Sequence, residues 1–415
     1  MNAPAFKPKA AFDADALRAQ FPIFARQVNG RPLVYLDSAA SAQKPRAVID
    51  AMTAVMETSY ANVHRGLHTL ANEATEAFEA ARGKTAAFLN AQSADNIVFT
   101  RGSTEAINLV ASSFAELISE GDEIVLSEME HHSNIIPWHF LRERRGAVLK
   151  WVPVHDDGSL DMEAYAAALG ARTRIVAVTH MSNVLGTITD VAEITRLAHA
   201  AGAAVLLDGS QAAVHLPRVD VQAIGCDFYV FTGHKLYGPT GAGSLYAAGD
   251  WLDRLRPYQG GGEMIETVSK KAVVYNAPPH KFEAGTPAII EAIGLGAAID
   301  FIVAIDREAA AAHEAMLAQK LADGLRAWND VRILGEADGK GAIVSFQTSA
   351  AHAHDIAQIL DKTGVAVRAG HHCAEPLMRR FGVTSTARAS FAIYNTEDDV
   401  ERCLEGFAKA RELLA

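Results

Sequence analysis

The stretch DFYVFTGHKLYGPTGAG, residues 227–243, decides how this chain folds. An apolar run, FYVF, enters Thr232, Gly233, His234 and Lys235, and Gly238, Pro239, Gly241 and Gly243 follow. A short apolar run bounded by turn residues predicts a strand buried on both faces. Such strands belong to α/β sheets, whose ligands sit at the carboxyl ends of the strands. Lys235 falls at such an end. The same pattern stands earlier in LLDGSQ, residues 206–211, where an apolar run ends in Asp208.

Outward from these two stretches the rhythm repeats. Further β-rich runs occur at 97–100, 123–126, 148–154, 174–179 and 243–246, with others at 203–207 and 228–231. Helix patterns separate many of them, for instance at 104–118, 161–168 and 191–201. The alternation predicts an α/β fold with a mostly parallel sheet covered on both faces. Residues 250–287, which include YQGGGEMIE and NAPPHKFEAGTP, break the rhythm; a loop this long is functional or forms an interface. An Ala-rich helix pattern follows at 288–325, and residues 331–415 read as a smaller α/β unit. The first thirty residues read as an arm, with a short helix near 14–20 and a turn at Asn29 and Gly30.

The 415 residues suit two domains, and 49% apolar content supplies a sizeable core. A net charge of −11, with no dense Lys/Arg run, disfavours nucleic acid or an anionic membrane as partner. No run is apolar enough to span a bilayer, and the first twenty residues lack a signal-peptide core. Three cysteines, Cys226, Cys373 and Cys403, make no disulfide framework and point to a reducing, cytoplasmic setting.

Lys235 reads either as a solvated loop lysine or as a Schiff-base lysine, whose amine must be partly desolvated. A pyridoxal phosphate enzyme needs such a lysine together with a carboxylate for the pyridine nitrogen, and Asp208 supplies it in chain order. FTRGSTEAINLV, residues 99–110, offers the phosphate cup: a strand, then Gly102, Ser103 and Thr104, then a helix. It reads equally as an ordinary helix cap. Thr232 and His234 can add donors. His131 and His132 follow the strand before SEMEHHSN and offer a ring to stack on the cofactor. With Glu130 they also suggest metal, but residues adjacent on a loop point apart and no HExxH spacing exists. In RAGHHCAEP, residues 368–376, Cys373 stands open as zinc ligand, buried small residue or nucleophile. Cys226 and Cys403 read as structural.

Together THMSNVLGT, LLDGSQ, TGHKLYGPTG, FEAGTP and RAGHHC resemble a cysteine desulfurase of the class V aminotransferase group. YQGGGEMI, RAGHHCA and NVHRGLHTL resemble the SufS-type (group II) branch rather than the IscS-type branch. With LDSAAS and ARASFAIYN the matches run from Leu36 to Asn395, nearly the whole chain. The resemblance implies the type I fold of pyridoxal-phosphate-dependent transferases. It implies an arm at 1–30 packed on the small domain, a large domain at 31–290 with a seven-stranded sheet, and a small α/β domain at 291–415 carrying the cysteine loop. It gives Lys235 the cofactor linkage, Asp208 the pyridine nitrogen, Gln211 the phenolic oxygen and His131 the stacked ring. Ser103, Thr104, Thr232 and His234 become phosphate ligands, and Thr286 a phosphate ligand donated by a second subunit, so a homodimer is expected. Arg388 clamps the substrate carboxylate, Asn183 stands near it, and His64, Arg65 and Arg368 line the site. In this chain Thr386 and Ala387 precede Arg388, where a cysteine is frequent in the family.

The implied reaction turns L-cysteine into L-alanine, with sulfur passing to Cys373 as a persulfide and on to a partner of SufE or SufU type for iron–sulfur cluster assembly. Cys373 must attack as a thiolate, which nearby positive charge favours; His371, His372 and Arg368 are local candidates. Three readings compete with this one: a selenocysteine lyase, an ordinary aminotransferase, and a zinc scaffold built on the HHC and EHH clusters.

Overall fold

A computed structural model describes residues 12–414; the first eleven residues of the expected arm lie outside it. Seven strands build the main sheet: β1 Ile97–Thr100, β2 Glu123–Ser127, β3 Val148–Val152, β4 Thr173–Thr179, β5 Ala204–Asp208, β6 Phe228–Thr232 and β7 Gly243–Ala247. They lie in the order β1-β7-β6-β5-β4-β2-β3. β7 runs antiparallel to both neighbours, and the other pairings are parallel. The mostly parallel seven-stranded sheet of the sequence reading is present.

Both faces of the sheet are covered, which is why its strands read as continuous apolar runs rather than alternating ones. In β5 and β6 successive residues enter opposite cores. Val205, Leu207, Tyr229 and Phe231 join one cluster; Leu206, Phe228 and Val230 join the other. Helices α1 Arg46–Thr58, α2 Thr69–Leu89, α3 Ser103–Phe114, α4 Ile136–Arg145 and α5 Val191–Ala200 flank the sheet. Phe88 and Leu89 of α2 and Ile194 of α5 pack on the first face, while Ile107 and Val110 of α3 and Trp138 of α4 pack on the second.

The Ala-rich stretch at 288–325 is not one helix. It divides into α6 Ile289–Val303 and α7 Arg307–Arg326. Asp306 interrupts it, because its carboxylate accepts hydrogen bonds from the N–H groups of Glu308 and Ala309 and so starts a new helix. Residues 250–287 are likewise more ordered than a loop: Ile265–Val268 pairs with Val273–Tyr275 in an antiparallel hairpin.

A second, antiparallel sheet contains β8 Val331–Leu334, β9 Ile343–Thr348, β10 Arg368–Gly370 and β11 Thr386–Ser390, in the order β8-β9-β11-β10. The opening of RAGHHC is therefore strand, and the strand expected near 388–393 begins and ends earlier. Helices α7, α8 Ala353–Lys362 and α10 Glu397–Leu414 share one core with this sheet through Leu321, Leu360, Phe346 and Phe407. A short helix, α9 Glu375–Arg380, follows the cysteine loop. Near the N-terminus, Val34–Tyr35 pairs in parallel with Val365–Ala366, and Arg18 reaches the Asp399 carboxylate at 2.9 Å. Among the described residues no helix is long and apolar enough to cross a membrane.

Candidate active site

The carboxyl ends of β1, β2, β4, β5 and β6 open on a cavity of about 1170 Å³, roofed by β10, β11 and the loop between them. Lys235 and Asp208 face it from neighbouring strand ends. Burial pushes the Lys235 amine down to about 8, against the opposing pull of Asp208. A fair share of the amine is therefore neutral near neutral pH, which is what a nucleophile or base requires. Asp208 Oδ1 accepts hydrogen bonds from Ser210 N at 2.9 Å and Ser210 Oγ at 2.6 Å, and Oδ2 takes no protein partner among the described residues. Gly209 has no room for a side chain, since a Cβ would lie 2.1 Å from the Tyr229 ring. That close approach explains the glycine of DGSQ.

FTRGSTEA does not form an ordinary side-chain cap. The N-cap of α3 is Gly102, and no side chain caps the helix. Its first-turn N–H groups remain available to an anion beside Ser103, Thr104 and Thr232, all of which line the cavity. Ser103 Oγ shares a 2.7 Å hydrogen bond with Ser210 Oγ, and Thr104 Oγ1 one of the same length with Ser133 Oγ. Gly102 lies at φ +151°, and a Cβ on Gly243 would fall 2.4 Å from its Cα, so the two glycines let β7 and the cup close together.

His131 lines the same cavity. Its Nδ1 accepts from Ser133 N at 3.1 Å, and burial with the Lys235 charge pushes it down to about 4. The ring is thus neutral near neutral pH and carries its proton on Nε2. Gln211 donates to the Ala39 carbonyl at 2.8 Å, while its Oε1 is buried without a partner. His234 also lines the cavity, and burial pushes it to about 4.

Arg388 is 2% exposed. It donates from Nη1 to the Asn183 carbonyl at 2.8 Å and from Nη2 to Asp37 at 3.3 Å, and its Nε is buried without a partner. Asp37 also receives Arg368 through three contacts of 2.8 to 3.2 Å. One carboxylate thus sets two guanidinium groups at the cavity. The Asn183 amide donates to the His372 carbonyl at 2.8 Å and so ties the cysteine loop.

That loop carries Cys373, the exposed cysteine of the three, into the cavity lining. Cys226 and Cys403 are buried, and burial pushes both thiols up, Cys403 to about 12. His372 and Cys373 lie at φ +52° and +57°, a left-handed pair that costs about 1–3 kcal/mol per residue and persists only when held. The holding contacts cross to the His131 turn: His132 N donates to the Cys373 carbonyl at 2.7 Å, and Glu375 N to His132 Nε2 at 3.1 Å. His372 Nε2 pairs with Thr386 Oγ1 at 2.8 Å.

Three expected site residues stand elsewhere in the chain. Thr286 lines a second cavity of about 430 Å³ with Glu283 and Gly241. His64 and Arg65 pair with Glu79 and Glu263, apart from Lys235. Several further residues hold the site together. Asp37 carried no signal beyond its motif. Lys44 holds the strand end before Lys235 by donating to the His234 carbonyl at 2.9 Å. His180 pairs with Tyr229 under the site at 3.0 Å.

Glu130 does not line the cavity. Its carboxyl is fully buried and does not join His131 and His132 in a metal cluster. Oε1 accepts from Ser127 Oγ and Thr179 N, and Oε2 from Asn134 Nδ2. Burial pushes it up to about 8 despite these donors. Its raised folded value gives stability that is fully present below the ordinary carboxyl range and is lost as pH rises toward 8. Glu130→Gln must aim an amide N–H at Thr179 N or Asn134 Nδ2, both donors. It is expected to destabilise by about 1–3 kcal/mol at pH 5, with the deficit shrinking by pH 8. Chemical unfolding across that range checks both sign and slope; a deficit that grows with pH would refute it.

The fold, a mostly parallel seven-stranded sheet with this lysine and aspartate at its strand ends, is that of the type I pyridoxal-phosphate-dependent transferases. More narrowly, the chain belongs to the class-V aminotransferase family, whose model matches residues 34–403. A cysteine desulfurase of Dickeya dadantii is 49% identical over 409 residues, covering 98% of this chain and 99% of that one. One from Klebsiella pneumoniae is 50% identical over 405 residues, covering 97% and 99%. Among solved structures, the cysteine desulfurase CsdA of Escherichia coli, in an S-sulfonic acid form, superposes with a TM-score of 0.91 at 39% identity, covering 98% of this chain and all of that one. The apo cysteine desulfurase of Thermococcus onnurineus NA1 superposes with a TM-score of 0.90 at 36% identity, covering 96% and 97%.

Proposed function

We propose that this chain is a pyridoxal-phosphate-dependent cysteine desulfurase that converts L-cysteine to L-alanine and passes the sulfur to Cys373. The carrying observation is one cavity lined by Lys235, Asp208 and the exposed thiol of Cys373. An ordinary aminotransferase needs no such thiol. The residues fit the cofactor: an uncapped helix N-terminus, a free oxygen on Asp208 and an unpartnered Gln211 Oε1 surround the lysine. Pyridoxal phosphate, when bound, supplies the electron sink for the carbanion formed at the substrate Cα.

In this reading Ser103, Thr104, Thr232 and His234 take the phosphate with the α3 N-terminus. Asp208 would hold the pyridine nitrogen, and His131 would lie against the cofactor ring. Arg388 binds the substrate carboxylate through its open Nε, oriented by Asp37. The Lys235 amine removes the Cα proton and returns it. The Cys373 thiolate attacks the substrate sulfur. The Cβ–S bond breaks with its electron pair left on the carbon side, and a proton equivalent to the one lost by the Cys373 thiol ends on Cβ. Cysteine and the Cys373 thiol thus become alanine and a Cys373 persulfide, with no outside oxidant.

The same reading makes the protein SufS-like, a supplier of sulfur for iron–sulfur cluster assembly through an acceptor of SufE or SufU type. It makes the working unit a cytoplasmic homodimer with a large domain at 31–290 and a small one at 291–415. Two features support the dimer. Thr286, His64 and Arg65 lie outside the cavity of their own chain, and exposed apolar side chains stand in the neighbouring segments, with Leu67 100% exposed and Val268 65%. Incubating the cofactor-loaded protein with L-cysteine and a thiol reductant is expected to yield alanine and sulfide in equal amounts. A 2-oxo acid without sulfide would overturn the reading, and a much faster reaction with L-selenocysteine would move it to selenocysteine cleavage.

A further inference from the structure

Outside the cavity, a second group of chemistry-bearing side chains converges. His64, Glu79 of α2 and His280 each bring a ligand atom within 4.8 Å of the others, the one such group among the described residues. His64 Nε2 lies 2.9 Å from Glu79 Oε1, and the His64 and His280 rings meet edge to face with centroids 4.8 Å apart. We propose that His64, Glu79 and His280 form a binding site for a divalent first-row transition ion, for which zinc is the natural probe.

Two imidazoles and one carboxylate are a donor set that zinc accepts, with a position left open for water. The surroundings orient these donors as bound metal requires. His64 Nδ1 is buried without a hydrogen bond and faces Glu263 Oε1 at 3.3 Å, so Nε2 is the nitrogen aimed at the site. Arg82 holds Glu79 through Nε to Oε2 at 2.8 Å and Nη2 to Oε1 at 3.1 Å. That guanidinium is itself matched by Glu283 at 2.6 and 3.0 Å. Arg65 answers Glu263 at 3.1 Å. Three carboxylates against two guanidinium groups leave one negative charge for the ion to neutralise. The ion takes the place of the proton between His64 and Glu79, so binding releases a proton and weakens in acid. Zinc bonds of about 2.0–2.2 Å require the donors to close slightly, and all three side chains are only partly buried. The ion would staple the turn before α2, α2 itself and the turn at residue 280, segments far apart in sequence.

The test uses the full-length, cofactor-loaded protein carrying Cys373→Ser, so that the exposed thiol cannot bind zinc. After chelator treatment, equilibrium dialysis with zinc chloride is expected to show one zinc per chain at micromolar concentration. The unfolding temperature should rise with zinc. Adding His280→Gln is expected to weaken that binding at least tenfold and to remove the thermal shift. Glu79→Gln should do the same if His280→Gln folds poorly. No zinc below millimolar concentration, or equal zinc in parent and both variants, overturns the site. These readouts do not depend on turnover, so they stand or fall apart from the desulfurase reading.

Discussion

Lys235→Ala is expected to lower the rate of alanine formation from L-cysteine by about 10⁴-fold, the scale lost when a positioned base and its covalent linkage are both removed. The lysine has no substitute in the cavity. Lys44 is the other buried amine nearby, but it is pinned to the Ala42 and His234 carbonyls at 2.6 and 2.9 Å. His131 is held neutral partly by the Lys235 charge, so the variant's ring should titrate at higher pH than the parent's. Borohydride treatment of the loaded parent should fix the cofactor mass on the chain, and the variant should show no such mass. Partial rescue by a small added amine separates loss of the amine from damage to the fold. Turnover within tenfold of the parent would remove Lys235 from its assigned role.

Much of this was legible because the chemistry sits where the sheet periodicity ends. Asp208 and Lys235 follow fully apolar runs, and two-faced burial both writes those runs and aims their ends at one cavity. The open helix start was legible as a strand followed by Gly-Ser-Thr. That no side chain caps it was not, because that turns on Gly102, rather than Ser103, taking the cap position. Asp37 was invisible for a different reason. Its meaning lies in Arg368 and Arg388, 331 and 351 positions away, and no local pattern records a contact of that span. The burial of Glu130 was not legible, because adjacency to two histidines on a loop says nothing of depth. The break between α6 and α7 hid because no glycine or proline stands at residues 304–306, where Asp306 was the signal.

Cys373→Ser is expected to abolish alanine formation to a similar degree, about 10⁴-fold, while leaving substrate binding intact. The loop's anchors predict that separation. The loop is held by main-chain carbonyls and imidazoles: His372 O to Asn183, Cys373 O to His132 N, and the His372 ring to Thr386. The Cys373 N–H donates to His371 Nδ1 at 3.2 Å. None of these uses the thiol, so serine inherits the left-handed backbone and its supports. Arg388, which would bind the substrate carboxylate, and Asp37, which orients it, are likewise untouched. The substrate-induced change in the visible spectrum should therefore persist with nearly the parent's concentration dependence, while alanine and sulfide fail to appear. Thiol labelling supplies an independent reading. Cys226 and Cys403 are buried and shifted toward the thiol form, so the parent should take up one alkyl group and the variant none. If alanine still formed at the parent's rate in a chain that no longer labels, the sulfur would have to leave by another route and Cys373 would be a bystander.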